Sequence, residues 1–273
     1  MTATTFQAQI RTWFRHHRRN LPWRKTENPY RILISEVMLQ QTQVGRVLPK
    51  YRSFLRLFPT IEALARAPLS RVLGAWQGLG YNRRALYLKR LAGIVVRDYN
   101  GRIPSDPELL RRLPGIGPGT AGAISAFAFG KRVAFLETNI RRVFLYAFFR
   151  NRRRVQDAEV LAKIKQTLPQ RSIREWYYAL MDYGALALKH APNPNHRSAA
   201  YAKQPPFQGS RRELRGQILS AVVDAGRIKK ERLRRMLQRQ PRFNTAYLNQ
   251  VIQRLIQEKL IASSSRNELT VAR

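Results

Sequence analysis

Apolar residues recur at helical spacing along almost the whole chain. Phe6, Ile10, Trp13 and Phe14 fall at i, i+4, i+7 and i+8 and make one face of a first helix. Leu69, Val72, Leu73 and Trp76 repeat the pattern, as do Tyr87, Leu91, Ile94 and Val95. Leu109, Leu110 and Leu113 predict a short helix, and Ala121 to Phe129 another. The series continues on Ile140, Val143, Phe144 and Ala147, then on Leu161, Ile164 and Leu168, then on Ile173, Trp176, Tyr177, Leu180 and Met181. It lapses over 189–212, a stretch rich in Pro, Asn and Gln that is too long for a simple turn and reads as a functional loop or a linker. Helical spacing resumes at Leu214, Ile218, Leu219 and Val222, at Leu233 and Leu237, and at Leu248, Val251, Ile252, Leu255 and Ile256. Only the last residues, LIASSSRNELTVA, read as two short strands joined by a polar turn. The expectation is an all-α body over 1–188, a loop or linker over 189–212, and a small winged-helix-like unit over 213–273.

Composition adds a partner to this picture. Of 273 residues, 51 are Lys or Arg and 16 are Asp or Glu, a formal net charge of +35. Such an excess repels itself in the folded state, and a polyanion relieves it. Nucleic acid fits, because each neutralised phosphate releases counterions. With no cysteine in the chain, disulfides, zinc–thiolate sites and iron–sulfur clusters are all excluded. The N-terminus lacks a secretory apolar segment and no apolar run reaches the ~20 residues of a membrane span. The expected setting is therefore the cytoplasm, on the nucleoid, as a soluble monomer away from membranes.

The stretch LRRLPGIGPGTAGAI, residues 110–124, carries the most specific chemistry. Leu113 ends a helix, and Pro114, Gly115, Ile116 and Gly117 form a tight turn whose glycines can take positive φ. Pro118 suits a first helical position, and a new helix then offers backbone N–H groups at Gly119, Thr120 and Ala121. Those donors and the helix dipole make a site for one phosphate, with Ile116 plugging the turn into the core.

This string resembles the hairpin of the helix-hairpin-helix (HhH-GPD) DNA glycosylase superfamily, which includes endonuclease III, the thymine mismatch glycosylases and the MutY adenine glycosylases. LPWR (21–24), SEVMLQQTQV (35–44), GLGYNRRA (78–85), LETNIRRV (136–143) and MDYGA (181–185) resemble the MutY branch in particular, in the same order. The resemblance spans residue 6 to about 188 and implies a two-lobed helical fold acting on mismatched or damaged double-stranded DNA.

Cleaving an N-glycosidic bond requires a proton for the departing base and a counter-charge for the sugar cation, a labour two carboxylates can divide. Glu36 lies in the apolar run ISEVML, where burial raises a carboxyl pKa and favours a proton donor. The resemblance gives it the role of protonating the base. Glu137 occupies the place where the superfamily has an aspartate that stabilises the sugar cation and orients water. Thr138 and Asn139 follow it as expected, and the resemblance makes Asn139 a DNA-binding residue. Gly119 stands where bifunctional relatives carry the lysine that forms a Schiff base, which implies a monofunctional enzyme without lyase activity. Gln40 and Gln41 match residues that probe the space left by the flipped base, and Tyr81 matches an aromatic residue near the lesion. Arg83 and Arg84 are expected on phosphates, and Arg150–Arg154 in a basic loop.

The sequence departs from the branch in two further ways. The run that follows MDYGA lacks the four cysteines of an iron–sulfur cluster, so no cofactor is expected; a monovalent cation at the hairpin is compatible with the motif. His190 and His196, without acids or thiols, do not make a metal site. Where MutY has a C-terminal domain that reads 8-oxoguanine, the winged-helix-like unit is expected instead. Adenine opposite guanine or 8-oxoguanine is the expected target. A pyrimidine-mismatch glycosylase acting on thymine or uracil, and a non-catalytic lesion-binding protein, remain the alternatives.

Overall fold

The computed structural model describes residues 1–238 and 244–272. Residues 239–243 and 273, part of the expected C-terminal unit, lie outside the described residues. The chain opens with α1 (Ala3–His17) and α2 (Pro29–Leu39), followed by α3 (Val44–Leu57), α4 (Ile61–Arg66), α5 (Leu69–Trp76) and α6 (Arg83–Asp98). Next come α7 (Pro107–Arg111), α8 (Pro118–Phe129), α9 (Thr138–Phe148), α10 (Asp157–Thr167) and α11 (Ile173–Asp182). The C-terminal stretch holds α12 (Arg211–Ala225), β1 (Arg227–Lys229), α13 (Lys230–Gln238), α14 (Thr245–Gln257), β2 (Ile261–Ser263) and β3 (Glu268–Val271). Each helix predicted from apolar spacing is present.

These elements form two compact units, each assembled from two separated stretches: Met1–Glu36 with Ile103–Lys203, and Val37–Arg102 with Gln204–Arg273. The first unit has a core of aromatic side chains from α1, α8, α9 and α11. Phe6 meets Phe144 and Trp176 edge-to-face at 5.3 and 5.7 Å. Pairs of this kind add roughly 0.5–1.5 kcal/mol beyond the burial of their area. Local signals set the helix starts. Thr2 and Asp106 cap α1 and α7 with their side chains, Gln156 and Glu159 form a reciprocal capping box on α10, and proline opens α7 and α8.

In the second unit Phe54, Phe58 and Trp76 are buried among α3–α6. Helix α12 lies directly on α5: a side chain at Gly74 would reach Val223 at 3.6 Å, and Gln77 donates to Asp224 at 2.8 Å. Arg83 of α6 and Arg215 of α12 share the carboxylate of Glu258. The C-terminal stretch is thus packed into one unit with residues 37–102, where the sequence suggested a separate appendage. Its small sheet has the order β1-β3-β2, antiparallel throughout, with Ile228 opposite Leu269 and Ile261 opposite Val271. The strand β1 was not foreseen, because three residues with one buried apolar position show no periodicity. Together with α12–α14 it completes a winged-helix arrangement.

Candidate active site

In the first unit, Glu36 stands on α2 between the fully buried Ser35 and the buried Val37. Glu36 itself is half-buried, and desolvation there pushes its pKa up to about 8; the negative charge of Glu137 adds to the rise and Arg24 opposes it. Glu137 is thus close enough for its charge to act on Glu36.

Glu137 is the N-cap of α9, in extended backbone. Its Oε1 accepts the N–H of Ile140 at 2.7 Å and its Oε2 accepts the side-chain amide of Asn139 at 3.2 Å. Burial raises the Glu137 pKa, while those hydrogen bonds and the Arg141 charge favour the ionised form. Burial raises the pKa of both acids, and at Glu137 the hydrogen bonds that cap α9 oppose that rise.

Two motifs without an assigned role meet beside Glu36. Arg24 of LPWR donates both Nη atoms to the two oxygens of Asp182 in MDYGA, each at 2.7 Å, and Arg19 adds its backbone N–H and its Nε. The Asp182 carboxylate is fully buried, and four donors keep its pKa below the ordinary value against burial. The Arg24 guanidinium lies 4.5 Å from the centre of the Tyr178 ring. This assembly fixes the cation that tempers Glu36. The sequence signal was the pair of motifs; nothing local showed that they pair with each other.

The hairpin follows its prediction with two corrections. Gly115 takes φ +78°, but Gly117 is extended, with φ −85° and ψ 174°, because its task is to be the N-cap of α8. Pro118 opens that helix and Ile116 is buried. The N–H of Ala121 donates to the Gly117 carbonyl at 2.9 Å, so it is spent inside the helix; Gly117, Gly119 and Thr120 hold the positions whose amides fall outside the ladder. Gly119 has a second reason to be glycine. A Cβ there would sit 2.8 Å from the Leu136 carbonyl oxygen, so the residue preceding Glu137 presses on the start of α8.

The start of α9 is gripped from two more sides. A Cβ on Gly184 would lie 2.4 Å from the Asn139 carbonyl oxygen, and Asn195 donates its side-chain amide to the Thr138 carbonyl at 3.3 Å. Asn195 belongs to the run where cysteines were missing, and the carbonyl of Arg197 and the N–H of Ala199 bond Val155 on either side. These residues offer no thiolate and do not fit an iron–sulfur cluster. His190 and His196 are exposed, His196 packing on the Tyr201 ring, and no group of three metal-ligating side chains occurs among the described residues. Arg150–Arg154 form an exposed loop in which Arg152 pairs with Glu159.

The other predicted residues belong to the second unit. Gln40 and Gln41 follow the last residue of α2; Gln41 is exposed, with φ +53°. Tyr81 has φ +47°, and its hydroxyl accepts from Arg212 at 2.9 Å and from the Gln204 amide. Arg83 is half-exposed and ion-paired with Glu258 at 2.6 Å. Arg84 corrects the expectation of a phosphate contact. It is 8% exposed and donates to the carbonyls of Val37, Met38 and Gln40 at 2.6–2.8 Å, to Thr42 Oγ1 at 2.9 Å and to the Gly80 carbonyl at 3.1 Å. Burial lowers its pKa to about 10. It therefore ties the end of α2 to the GLGY loop instead of facing solvent.

Comparison with known proteins places this geometry. The sequence profile described as "HhH-GPD superfamily base excision DNA repair protein" matches residues 34–170. The chain belongs to the HhH-GPD superfamily. It is 39% identical over 198 residues to the adenine DNA glycosylase of Buchnera aphidicola subsp. Baizongia pistaciae, a match spanning 71% of this chain and 56% of that protein. It is 35% identical over 241 residues to the adenine DNA glycosylase of Mycobacterium tuberculosis strain H37Rv, covering 77% and 76%. Among solved structures, a thermostable thymine-DNA glycosylase superposes with a TM-score of 0.62 at 30% identity, covering 70% of this chain and 90% of that one. The matched family region holds Glu36, the hairpin and Glu137 together.

Proposed function

We propose that this chain is a monofunctional DNA glycosylase of base excision repair, acting as a monomer on double-stranded DNA and removing adenine opposite guanine or 8-oxoguanine. The observation that carries this is the pair of acids in different surroundings, one raised to about 8 and the other hydrogen-bonded at a helix start. Glu36 holds a proton near neutral pH, and Glu137 is a helix-capping carboxylate within its electrostatic reach. With a nucleotide flipped out of the stack, Glu36 donates its proton to a ring nitrogen of the leaving base as the bond from that base to C1′ breaks. The Glu137 carboxylate balances the cationic sugar and accepts the proton of the water that adds to C1′. Glycine at 119 offers no amine, so no covalent sugar adduct forms and the product is an abasic site.

A pyrimidine-mismatch activity is the second reading, favoured by the likeness to a thymine-DNA glycosylase. Labelled duplexes bearing A opposite G, A opposite 8-oxoguanine, T opposite G or U opposite G, treated with alkali after incubation, separate the two. Scission at adenine with no borohydride-trapped adduct is expected. The single-turnover rate should fall on the basic side of pH about 8 as Glu36 loses its proton. Scission at T or U alone would select the second reading. Absence of scission on all four duplexes, or full activity in Glu36→Gln, would end the glycosylase account.

A further inference from the structure

Within the second unit, the order α12-β1-α13-α14-β2-β3 and the sheet order β1-β3-β2 make α14 the third helix of a winged helix. Helix-turn-helix proteins lay the second helix of their helical pair in the major groove. Here that helix buries Leu248, Val251, Ile252 and Leu255 and turns Gln250, Gln253, Arg254 and Gln257 to solvent. Glutamine amides can bind adenine edges in a bidentate manner and arginine can do so with guanine. No acid occurs anywhere in α14.

A polar outward face is often no more than a solvated one, and the distribution of charge argues otherwise here. Residues 204–273 contain 15 Lys and Arg against five acids. Each acid already has a donor: Glu213 takes the Gly209 N–H, Asp224 takes Gln77 and Ser220, Glu231 takes Asn267, Glu258 takes Arg83 and Arg215, and Glu268 takes Arg227. Lys229, Arg232, Arg235, Arg254 and Arg266 are exposed, and among the described residues none has an ion-pair partner. Arg266 lies in the exposed turn Ser264–Asn267 between β2 and β3, whose serines are a phosphate-binding type. Negative charge is sequestered while positive charge is left outward, the complement of a polyanion.

We propose that α14, the β2–β3 turn and the exposed Arg232 of α13 form a second DNA-binding surface, taking the major groove and flanking phosphates of undamaged duplex. The inference stands apart from base excision, and so does its test. The full-length Arg232→Ala/Arg254→Ala/Arg266→Ala protein is titrated against an undamaged labelled duplex across a salt series. Binding at physiological salt should weaken at least tenfold, and the slope of log affinity against log salt should become shallower by about two to three. An unchanged slope overturns the proposal. Because the chain has no cysteine, a Gln253→Cys protein supplies a second measurement that does not depend on removing charge. Undamaged duplex should slow its reaction with a maleimide several-fold. Equal labelling with and without duplex, or stronger protection by a single-stranded RNA of the same length, overturns it as well. Excision under single-turnover, enzyme-saturating conditions stays unchanged in the triple variant, which keeps a failure of this surface distinct from a failure of the glycosylase reading.

Discussion

A carboxyl whose ionisation is opposed by burial and by a neighbouring carboxylate makes the folded state sensitive to pH in a definite direction. The folded Glu36 pKa is about 8 against an ordinary 4.5, so between those values the native protein keeps a proton that the unfolded chain releases. Stability therefore falls as pH rises through that window, by up to ~1.4 kcal/mol per pH unit for this one group. Glu36→Gln removes the titration and keeps the shape. The variant should be more stable than the wild type by about 2 kcal/mol or more at pH 8, and nearly equal to it at pH 4.5, while losing excision. Urea unfolding at the two pH values measures this. A stability difference that does not change with pH would mean that Glu36 ionises as freely in the folded protein as in the unfolded one. Maintaining an acid where water would prefer a carboxylate is a destabilising choice, and under the proposed function the proton it keeps is the one the leaving base requires.

At the scale of elements, the proposed chemistry depends on where α9 begins. Its first turn is set by the Glu137 cap, by the approach of Gly184 and by the Asn195 bond to Thr138. Gly184→Ala would place a methyl 2.4 Å from a backbone oxygen and 2.9 Å from its carbon, and backbone does not yield as a flexible side chain does. Overpacking of this sort destabilises by about 1–3 kcal/mol. The resulting shift of the α9 terminus should lower the single-turnover rate constant ~10²-fold with DNA affinity nearly intact. Gly74→Ala, whose new methyl meets Val223 at an ordinary 3.6 Å, should change neither. A Gly184→Ala enzyme with the wild-type rate would show that α9 is not what positions Glu137. The helices themselves were legible because apolar spacing reports a buried face directly, and the hairpin and both acids were legible because their motifs are compact. Pairings such as Arg24 with Asp182, 158 residues apart, leave no periodic trace. Arg84 was misread although a signal existed: it falls on the same helical stripe as Leu88, Leu91 and Val95, all buried, whereas its neighbour Arg83 does not.

For the whole molecule, the order of the chain is a poor guide to what stabilises what. Residues 37–102 precede the hairpin and residues 204–273 follow both acids, yet the two stretches complete one compact unit. The contacts between them are specific: α12 against α5, Gln77 with Asp224, Arg212 with the Tyr81 hydroxyl, and Glu258 bridging Arg83 and Arg215. The Glu258 side chain is 12% exposed and takes two guanidinium groups, so its loss leaves two cations facing each other without their anion. Glu258→Gln should therefore cost about 1–3 kcal/mol, in the range for removing a charged hydrogen-bond partner. Hydrogen exchange gives the location as well as the magnitude. In this variant amides of α5, α6, α12 and α14 should exchange faster, while those of α8, α9 and α11, which share the other unit and its aromatic core, should keep their protection. If exchange rose only within α12–α14 and left α5 and α6 as they were, the C-terminal stretch would be an independently folded appendage after all. If protection fell everywhere alike, the division of the chain into two cooperative units would be wrong. The expected pattern, confined to both stretches of one unit, makes the winged helix part of the scaffold that holds Tyr81 and the GLGY loop.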